Sequence, residues 1–315
     1  MRCRPTVCLL LGLSCMCQCT RVDGGADDDR ELERFRIVVL ADPHVPDPNY
    51  EGPEANELDT ESILAAHQRL LDARARINAM DPAPDFVVIL GDLLHTHYPY
   101  DEVQDYYDQP SAFSVAAELL DGFEVPVHLV FGEHDYGVPR IPREDSHVLF
   151  AHFFDAAPHT AFEHHGWKFI LANSQLGATW DASSDDYDPA RGSYGREQLD
   201  WIADHLFDRM PTVFLSHFPI PFDTAVFENL ESPSRDIFTL MTDHADTMQL
   251  ALGGHLHRWV DYRIVAPTDV FVVAGLRYDA DNFWVIEFDP ASQTYEILDI
   301  DKVHWQTPFS DTATE

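Results

Sequence analysis

Five short polar clusters contain the aspartate, glutamate and histidine side chains that could bind a metal ion. Each follows an apolar run, and in chain order they are Asp42-Pro43-His44, Gly91-Asp92, Gly132-Glu133-His134-Asp135, Ser216-His217 and Gly253-Gly254-His255-Leu256-His257. Imidazole nitrogens and carboxylate oxygens together suit Zn, Mn or Fe, whereas calcium and magnesium sites are dominated by oxygen. A single cluster of this kind is more often a turn or a structural histidine. Five in succession indicate one shared metal site.

The runs before these clusters are rich in valine, isoleucine, leucine and phenylalanine and predict buried β-strands. They span residues 36–40, 86–90, 127–131, 212–215 and 248–252. The carboxyl ends of strands in an open α/β sheet line one crevice, so residues far apart in sequence can meet there. Alternate residues of an extended chain point to the same side, so Asp-x-His and His-x-His pairs at strand ends also fit metal coordination.

Helical patterns alternate with the strands over most of the chain. Apolar residues predict helices at 60–80, 111–120 and 197–210 and a further strand at 168–171. After His257 come successive strands at 259–265, 270–274, 283–288 and 294–298, which favours antiparallel pairing. The sequence predicts one domain at 35–303 and a C-terminal tail at 304–315. The histidines predicted to lie on the surface include His147, His164, His165 and His205.

The charge balance is strongly acidic, with 55 Asp and Glu residues against 20 Lys and Arg residues and a formal net charge of −35. Such a surface repels nucleic acid and anionic lipid, so no nucleic-acid partner is expected. A small phosphoester remains compatible with this charge, because a pair of divalent cations reverses the field locally. The alternative explanation is that the acidic surface only keeps the protein soluble.

The N-terminus has the features of an export signal. Arg2 and Arg4 precede an apolar stretch at 7–13 that is too short to span a bilayer but suits a signal peptide. Residues 1–19 are predicted to be a signal peptide or lipoprotein signal, and residues 20–34 an acidic flexible tether. Cys15 lies in an imperfect bacterial lipobox, so a lipid anchor there is the expected membrane contact of an exported, periplasmic or cell-surface protein. All five cysteines lie before residue 20, which leaves nitrogen and oxygen ligands for a metal.

The motifs occur in the order Asp-x-His, Gly-Asp, Gly-Glu-His-Asp, a lone His and Gly-His-x-His. In type and order they resemble those of the calcineurin-like metallophosphoesterases over residues 35–303. The segment with Gln198, Leu199 and Trp201 is similar to a helix start in the phosphodiesterase-like and acid-phosphatase-like branches. The resemblance implies an α/β fold in four αββα layers, with two mixed β-sheets packed face to face and the helices on the outside. It also implies two divalent metal ions, of Mn, Fe or Zn.

The same resemblance implies a set of seven metal ligands. They are, for the first metal, Asp42, His44 and His257; for the second, Glu133, His217 and His255; and, bridging both, Asp92. His134 corresponds to the family histidine that contacts the phosphoryl group and protonates the leaving oxygen, and Asp135 is placed to orient it. A metal-bound water or hydroxide would be the nucleophile, because cation binding lowers the pKa of water.

Two positions depart from patterns found in the family. Glu133 stands where the family has asparagine, which adds negative charge beside an anionic substrate but also supplies a stronger ligand for a cation. The hypothesis is that Glu133 still binds the second metal. His95 stands where purple acid phosphatases have a metal-bound tyrosine, which disfavours that subtype. His95 and His97 are candidates to line the substrate pocket, although a plain polar loop fits them equally.

These observations together predict a metal-dependent hydrolase of small phosphomonoesters or phosphodiesters. The alternative is an exported metal- or ligand-binding protein of the same fold, with Glu133 as the sign of weakened catalysis. A nuclease is the third interpretation, disfavoured by the acidic surface and the lack of basic, aromatic-rich stretches. The interpretation as a Ser-His-Asp hydrolase has still less support, since the chain has no Gly-x-Ser-x-Gly elbow.

Overall fold

The computed structural model describes residues 33–95, 98–220, 236–262 and 267–305. In these ranges the helices and strands are, in chain order, β1 (Phe35–Leu40), α1 (Glu57–Asn78), β2 (Phe86–Leu90), α2 (Val103–Asp108), α3 (Ala112–Asp121), β3 (Val127–Val130), α4 (Arg143–Phe154), β4 (Thr160–His164), β5 (Trp167–Leu171), α5 (Arg196–Leu206), β6 (Thr212–Leu215), α6 (Ile237–Asp243), β7 (Met248–Gly253), β8 (Val260–Asp261), β9 (Asp269–Val272), β10 (Phe283–Asp289) and β11 (Thr294–Ile297). One turn of 3-10 helix at Glu133–Asp135 follows β3.

The strands form two mixed sheets. The first has the order β11-β10-β1-β2-β3, in which β1, β2 and β3 run parallel while β10 joins β1, and β11 joins β10, in antiparallel pairing. The second has the order β4-β5-β6-β7-β9-β8, in which β5, β6, β7 and β9 run parallel and the edge strands β4 and β8 are antiparallel. The prediction of two mixed sheets is therefore confirmed.

The alternation of side chains along the strands explains why the two sheets face each other. On β1, Ile37 and Val39 lie in the apolar layer between the sheets, whereas Val38 and Leu40 belong to the cluster on the other face. Successive side chains of a strand point to opposite faces, so a strand that is apolar throughout must be covered on both. The layer between the sheets is completed by large side chains that include Trp167, Phe169, Val213, Leu250 and Trp284.

Helices cover the two outer faces. Leu70 of α1 and Phe113 of α3 belong to the cluster on the outer face of the first sheet, together with residues of α4. Leu199 of α5 and Leu240 of α6 belong to the corresponding cluster on the second sheet. The layers run helices, sheet, sheet, helices, which confirms the predicted αββα order. No helix in the described ranges is both long and apolar enough to cross a membrane.

Several predictions about secondary structure need correction. The predicted helices at 60–80, 111–120 and 197–210 correspond to α1, α3 and α5 with shifted ends, but α2, α4, α6 and β4 were not predicted. No residue of β4 is fully buried, so its sequence gives no clear alternation. Antiparallel pairing after His257 is correct for β8 with β9 and for β10 with β11, but wrong for β9 against β7, which is parallel. Three of the four residues of β9 are buried, as in an interior parallel strand.

The four histidines predicted to lie on the surface reach it only in part. His147, His164, His165 and His205 are each only partly exposed. They lie where the sequence shows no distinctive pattern, so neighbours from other elements decide their burial. The predicted signal peptide and most of the tether and C-terminal tail lie outside the described residues, and these boundaries stay predictions.

Candidate metal centre

The predicted ligands follow the carboxyl ends of five strands, three in the first sheet and two in the second. The structure brings them into two groups, in each of which the ligand atoms lie within 4.8 Å of one another. The first ligand group consists of Asp42, His44, Asp92 and His257, and the second of Glu133, His217 and His255. The centre is therefore shared between the sheets, which is possible because both present their carboxyl ends at the same edge.

The backbone at these strand ends is unusual. Asp42, His44, Asp92, His255 and His257 have positive φ angles between 48° and 67°. This left-handed region is uncommon for residues with a side chain, although Asp and His enter it more readily than most. Such strained positions cluster at functional sites, where the surrounding structure holds them in place. Five of the seven predicted ligands share this feature, which supports a common role.

Two imidazoles face each other in the first ligand group. Nε2 of His44 lies 3.1 Å from Nε2 of His257 and 3.5 Å from Oδ2 of Asp92. Nε2 of His257 lies 3.6 Å from Oδ1 of Asp42. Ligands held at about 2.0–2.2 Å from one metal ion have to lie about this far from one another. The first ligand group thus fits one divalent cation.

In the second ligand group His217 has one ring nitrogen occupied by the protein. Its Nδ1 donates to the carbonyl oxygen of Leu90 at 2.7 Å, which leaves Nε2 at 2.5 Å from Oε2 of Glu133 and 3.3 Å from Oδ2 of Asp92. A neutral ring with its proton on Nδ1 presents a lone pair at Nε2. Two carboxylates facing that lone pair repel it unless a proton or a metal ion lies between them. The geometry therefore calls for a positive charge at this point.

Asp42 and Asp92 are each held by a backbone N–H group. The backbone N–H of His255 donates to Oδ1 of Asp42 at 2.9 Å, and the backbone N–H of His134 donates to Oδ1 of Asp92 at 2.8 Å. In both residues Oδ2 is buried and accepts no hydrogen bond from the described residues. Buried carboxylate oxygens normally have a partner, so these two atoms are suited to a cation. Oδ2 of Asp92 faces His44 and His217 at once, as a bridging ligand would.

Electrostatics divide the histidines into two classes. Burial, together with the nearby His134 and His257, lowers the pKa of His44 well below its usual range. Burial, with Arg277 close by, also lowers the pKa of His257 to about 3. These rings are neutral at ordinary pH, which is the form that binds metals. Burial would lower the pKa of His217 too, but the charges of Asp92 and Glu133 outweigh it and raise the pKa well above normal.

Gly132 and Gly91 lie too close to predicted ligand side chains to carry a Cβ atom. A Cβ on Gly132 would lie 2.2 Å from Oδ1 of Asp92, and a Cβ on Gly91 would lie 2.6 Å from Nδ1 of His217. Gly91 also has a φ of +83°, which residues with a side chain rarely adopt. The strand ends thus pack directly against the ligands and hold them in place.

A model of the calcineurin-like phosphoesterase family matches residues 35–259. The chain belongs to this family. It is therefore a metal-dependent phosphoric ester hydrolase, and its two ligand groups fit the two divalent cations that the family uses. The buried oxygens without partners and the mixed nitrogen and oxygen donors support that fit.

Solved structures of similar fold are known. The phosphoesterase is similar to a dimetal phosphatase from Danio rerio, with 17% identity and a TM-score of 0.57 over 80% of this chain and 92% of that chain. It is also similar to a purple acid phosphatase from yellow lupin, Lupinus luteus, with 15% identity and a TM-score of 0.48 over 84% of this chain and 53% of that chain. A search of curated protein sequences found no match. At these identities the first likeness shows the fold.

The predicted catalytic pair has two distinct settings. His134 is partly exposed, and its ring lies 4.7 Å from the ring of His44, between centroids, beside the first ligand group. Asp135 is fully buried, and its carboxylate accepts backbone N–H groups of Leu94 at 2.9 Å and Gly132 at 2.8 Å. Asp135 thus ties the turn after β2 to the turn after β3. Its predicted effect on the ring of His134 stays a prediction.

Of the two predicted pocket residues, one can be placed. His95 is buried beside His44, with 3.4 Å between their Nδ1 atoms, and its ring stacks on that of His134 at 5.6 Å. His97 lies outside the described residues. Nε2 of His95 also lies 3.0 Å from Oε1 of Glu54, which in turn accepts a hydrogen bond from the hydroxyl of Tyr50. Sequence reasoning missed Glu54 and Tyr50, because their segment has no strand-end pattern.

Arg277 is a third residue that the sequence analysis missed. It is buried close to the first ligand group, and its backbone N–H donates to the carbonyl oxygen of Asp42 at 3.1 Å. Its guanidinium donates to Oγ of Ser62 at 2.8 Å and lies 3.5 Å from Oδ1 of Asp59, so helix α1 fixes it. Arg277 follows β9 just as the ligands follow their strands. The rule that identified the ligands would have found it if positive residues had been included.

Proposed function

We propose that the enzyme hydrolyses small phosphomonoesters or phosphodiesters at the centre formed by the two ligand groups. The observation that carries this proposal is the setting of His217, whose Nε2 is turned toward Asp92 and Glu133 while Nδ1 is engaged by a backbone carbonyl. A divalent cation bound at this point would be held by His217 and Glu133, with Asp92 beside it. Two cations bound there supply Lewis acidity and lower the pKa of water, as in two-metal phosphoesterases.

The chain's own residues supply the rest of the chemistry. The backbone of His134 is held by Asp92, and its partly exposed ring is positioned to contact a phosphoryl oxygen and to donate a proton to the leaving oxygen. His95, paired with Glu54, packs against this ring and limits its orientation. Asp135 holds the underlying turns. These roles are those expected from the sequence, and they remain part of the proposal.

A small substrate is favoured by the electrostatics of the whole protein. A net charge of −35 opposes the approach of a polyanion such as a nucleic acid at ordinary ionic strength. A single phosphate group is attracted over short range by the cations and carries little charge beyond them. Nuclease activity is therefore not part of the proposal.

The test is a screen of metal-free protein reloaded separately with Mn²⁺, Zn²⁺ or Fe²⁺. Aryl phosphate monoesters, bis-aryl phosphodiesters and cyclic nucleotides serve as substrates. We expect turnover that needs added metal, with Asp92→Asn lowering kcat by at least about 100-fold because it weakens both ligand groups. His67→Asn, an exposed position on α1, is the matched control and keeps full activity. Metal binding without turnover of any of these esters would favour the binding-protein alternative.

We also propose that the protein is exported and anchored at Cys15. This rests on the charged start and apolar stretch of the N-terminal sequence, which lie outside the described residues. Fractionation of cells that express the full chain tests it, with Cys15→Ser compared with Cys19→Ser. Release of the Cys15 variant alone from the membrane fraction supports the anchor. A soluble cytoplasmic wild type contradicts both export and anchoring.

A further inference from the structure

A second cluster of possible metal ligands lies at the far end of the sheets. Asp85, His164 and His165 each offer a ligand atom, and these atoms lie within 4.8 Å of one another. Asp85 immediately precedes β2, and Asp92 of the dinuclear centre follows the other end of that strand. At about 3.3 Å per residue, the two clusters are about 20 Å apart. The cluster is therefore separate from the centre described above.

The two histidines are held by a tight hairpin. β4 pairs with β5 through His164 and Trp167, so His165 and Gly166 form the entire connection. Their φ angles of 46° and 77° are both positive, as a type I′ turn requires. The imidazole rings of His164 and His165 lie 4.4 Å apart between centroids. A short, defined turn thus presents two imidazoles side by side.

The carboxylate comes from the other sheet. Nε2 of His164 lies 2.6 Å from Oδ2 of Asp85, and the two side chains are only 28% and 33% exposed. Nδ1 of His165 is buried and has no hydrogen-bond partner among the described residues. An ordinary ion pair would account for His164 and Asp85. It does not account for a second imidazole beside them with a buried nitrogen that the protein leaves unused.

One side of the cluster is apolar and the other is open to water. The ring of Phe35 lies 4.8 Å from that of His164 and 5.4 Å from that of His165, and Phe86 contacts His164 at 5.4 Å, all between centroids. An apolar wall fixes the orientation of ligands and lowers the local dielectric. The exposed fractions of the side chains leave room for water to complete the coordination. Two nitrogens and one oxygen are donors that suit divalent transition metals.

We propose that Asp85, His164 and His165 form an auxiliary site for one divalent transition-metal ion of the zinc class. The ion would join the β4–β5 hairpin of the second sheet to the start of β2 in the first, and so fasten the two sheets at the end opposite the dinuclear centre. The acidic surface raises the local concentration of cations and assists binding. Its effect is structural, because the cluster lies far from the phosphoesterase centre.

The experiment uses the full chain with Mn²⁺ at the dinuclear centre. Zn²⁺ is added in the presence of excess Mn²⁺, loosely bound metal is removed, and the metals per chain are counted by mass spectrometry. We expect the wild type to retain one more zinc ion than His165→Asn. Asn-Gly is the preferred pair for a type I′ turn, so this variant removes the imidazole without disturbing the hairpin. His67→Asn is the matched control and should retain as much zinc as the wild type.

A second measurement keeps the proposal open to refutation. Zn²⁺ should raise the midpoint of thermal unfolding by a few degrees more in the wild type than in His165→Asn or Asp85→Asn, because a ligand that binds only the folded state stabilises it. Phosphoester hydrolysis should be equal in all three, which also reports correct folding. Zinc that exchanges into the dinuclear centre does so equally in each protein. Equal zinc content and equal midpoint shifts in the wild type and His165→Asn would overturn the proposal.

Discussion

Oε1 of Glu133 lies 2.6 Å from Nδ1 of His255, while the other oxygen of this carboxylate faces His217. Burial would raise the pKa of Glu133, but the charges of His255 and His217 outweigh it and hold the pKa well below normal. Glu133 is thus an ionised carboxylate between two imidazoles. It has the setting of a ligand to the second metal, at the position where the resemblance implies asparagine.

Replacement of Glu133 by Asn should lower the affinity for the second metal more than the affinity for the first. An amide is a neutral and weaker donor than a carboxylate, and loss of one charged interaction corresponds to about tenfold in affinity or more. Calorimetric titration of the metal-free protein with metal measures both affinities directly. Glu124→Gln, which changes an exposed carboxylate, is the control. Wild-type stoichiometry, affinity and rate in Glu133→Asn would rule out a ligand role.

Gly132→Ala should disrupt the centre without straining its own backbone. The φ of Gly132 is −113°, which alanine can adopt, but the new Cβ would lie 2.2 Å from Oδ1 and 2.4 Å from the backbone nitrogen of Asp92. The carboxylate of Asp92 has to move, and we expect kcat/KM to fall by at least about 100-fold, since small displacements of reacting groups cost that much. Steady-state kinetics at saturating metal tests this. A rate within a factor of about two of the wild type would contradict the packing argument.

His134→Ala should lower kcat most for substrates whose leaving group must be protonated. General acid catalysis contributes about 100- to 10,000-fold, and it matters most for alkoxide leaving groups of high pKa. We expect a large loss of kcat for alkyl phosphates and a small one for nitrophenyl phosphate, with metal content unchanged. A loss of equal size for both substrates would mean that His134 serves only to bind the phosphoryl group.

His147 should make the folded state sensitive to acid. Burial, together with Arg143, lowers the pKa of His147 from 6.5 to about 4, and the neutral ring accepts a hydrogen bond from the hydroxyl of Tyr136 at 2.9 Å. The unfolded chain binds this proton more readily, so the stabilisation is complete above pH 6.5 and is lost as the pH falls towards 4. Because the ring is partly exposed, the loss is about 1–2 kcal/mol.

Urea unfolding of the wild type and His147→Gln at several values of pH measures that effect. The difference in free energy of unfolding between the two proteins should shrink as the pH is lowered through this range. His67→Gln provides the comparison for an exposed histidine. A difference that stays constant with pH would show that His147 titrates alike in both states.

The sequence was informative where chemistry coincides with a regular pattern. Asp42, Asp92 and His217 could be found because each follows an apolar run, and strand ends of one sheet share an edge. Glu54 lies in an irregular segment before α1, so only the tertiary structure brings it to His95. His165 does not follow a predicted strand, so the sequence predicts a surface residue and gives no sign of what packs beside it. Long-range packing, which local patterns do not encode, accounts for the rest.

Completion of the dinuclear centre depends on a late part of the polypeptide. The first ligand group needs Asp42 from just after β1 and His257 from beyond β7, and β1 itself is flanked by β10, which is made later still. During synthesis on the ribosome, Asp42, His44 and Asp92 therefore emerge long before His257 exists. We therefore expect metal uptake to be completed late in folding, and a nascent chain that stalls before His257 lacks one ligand of the first group.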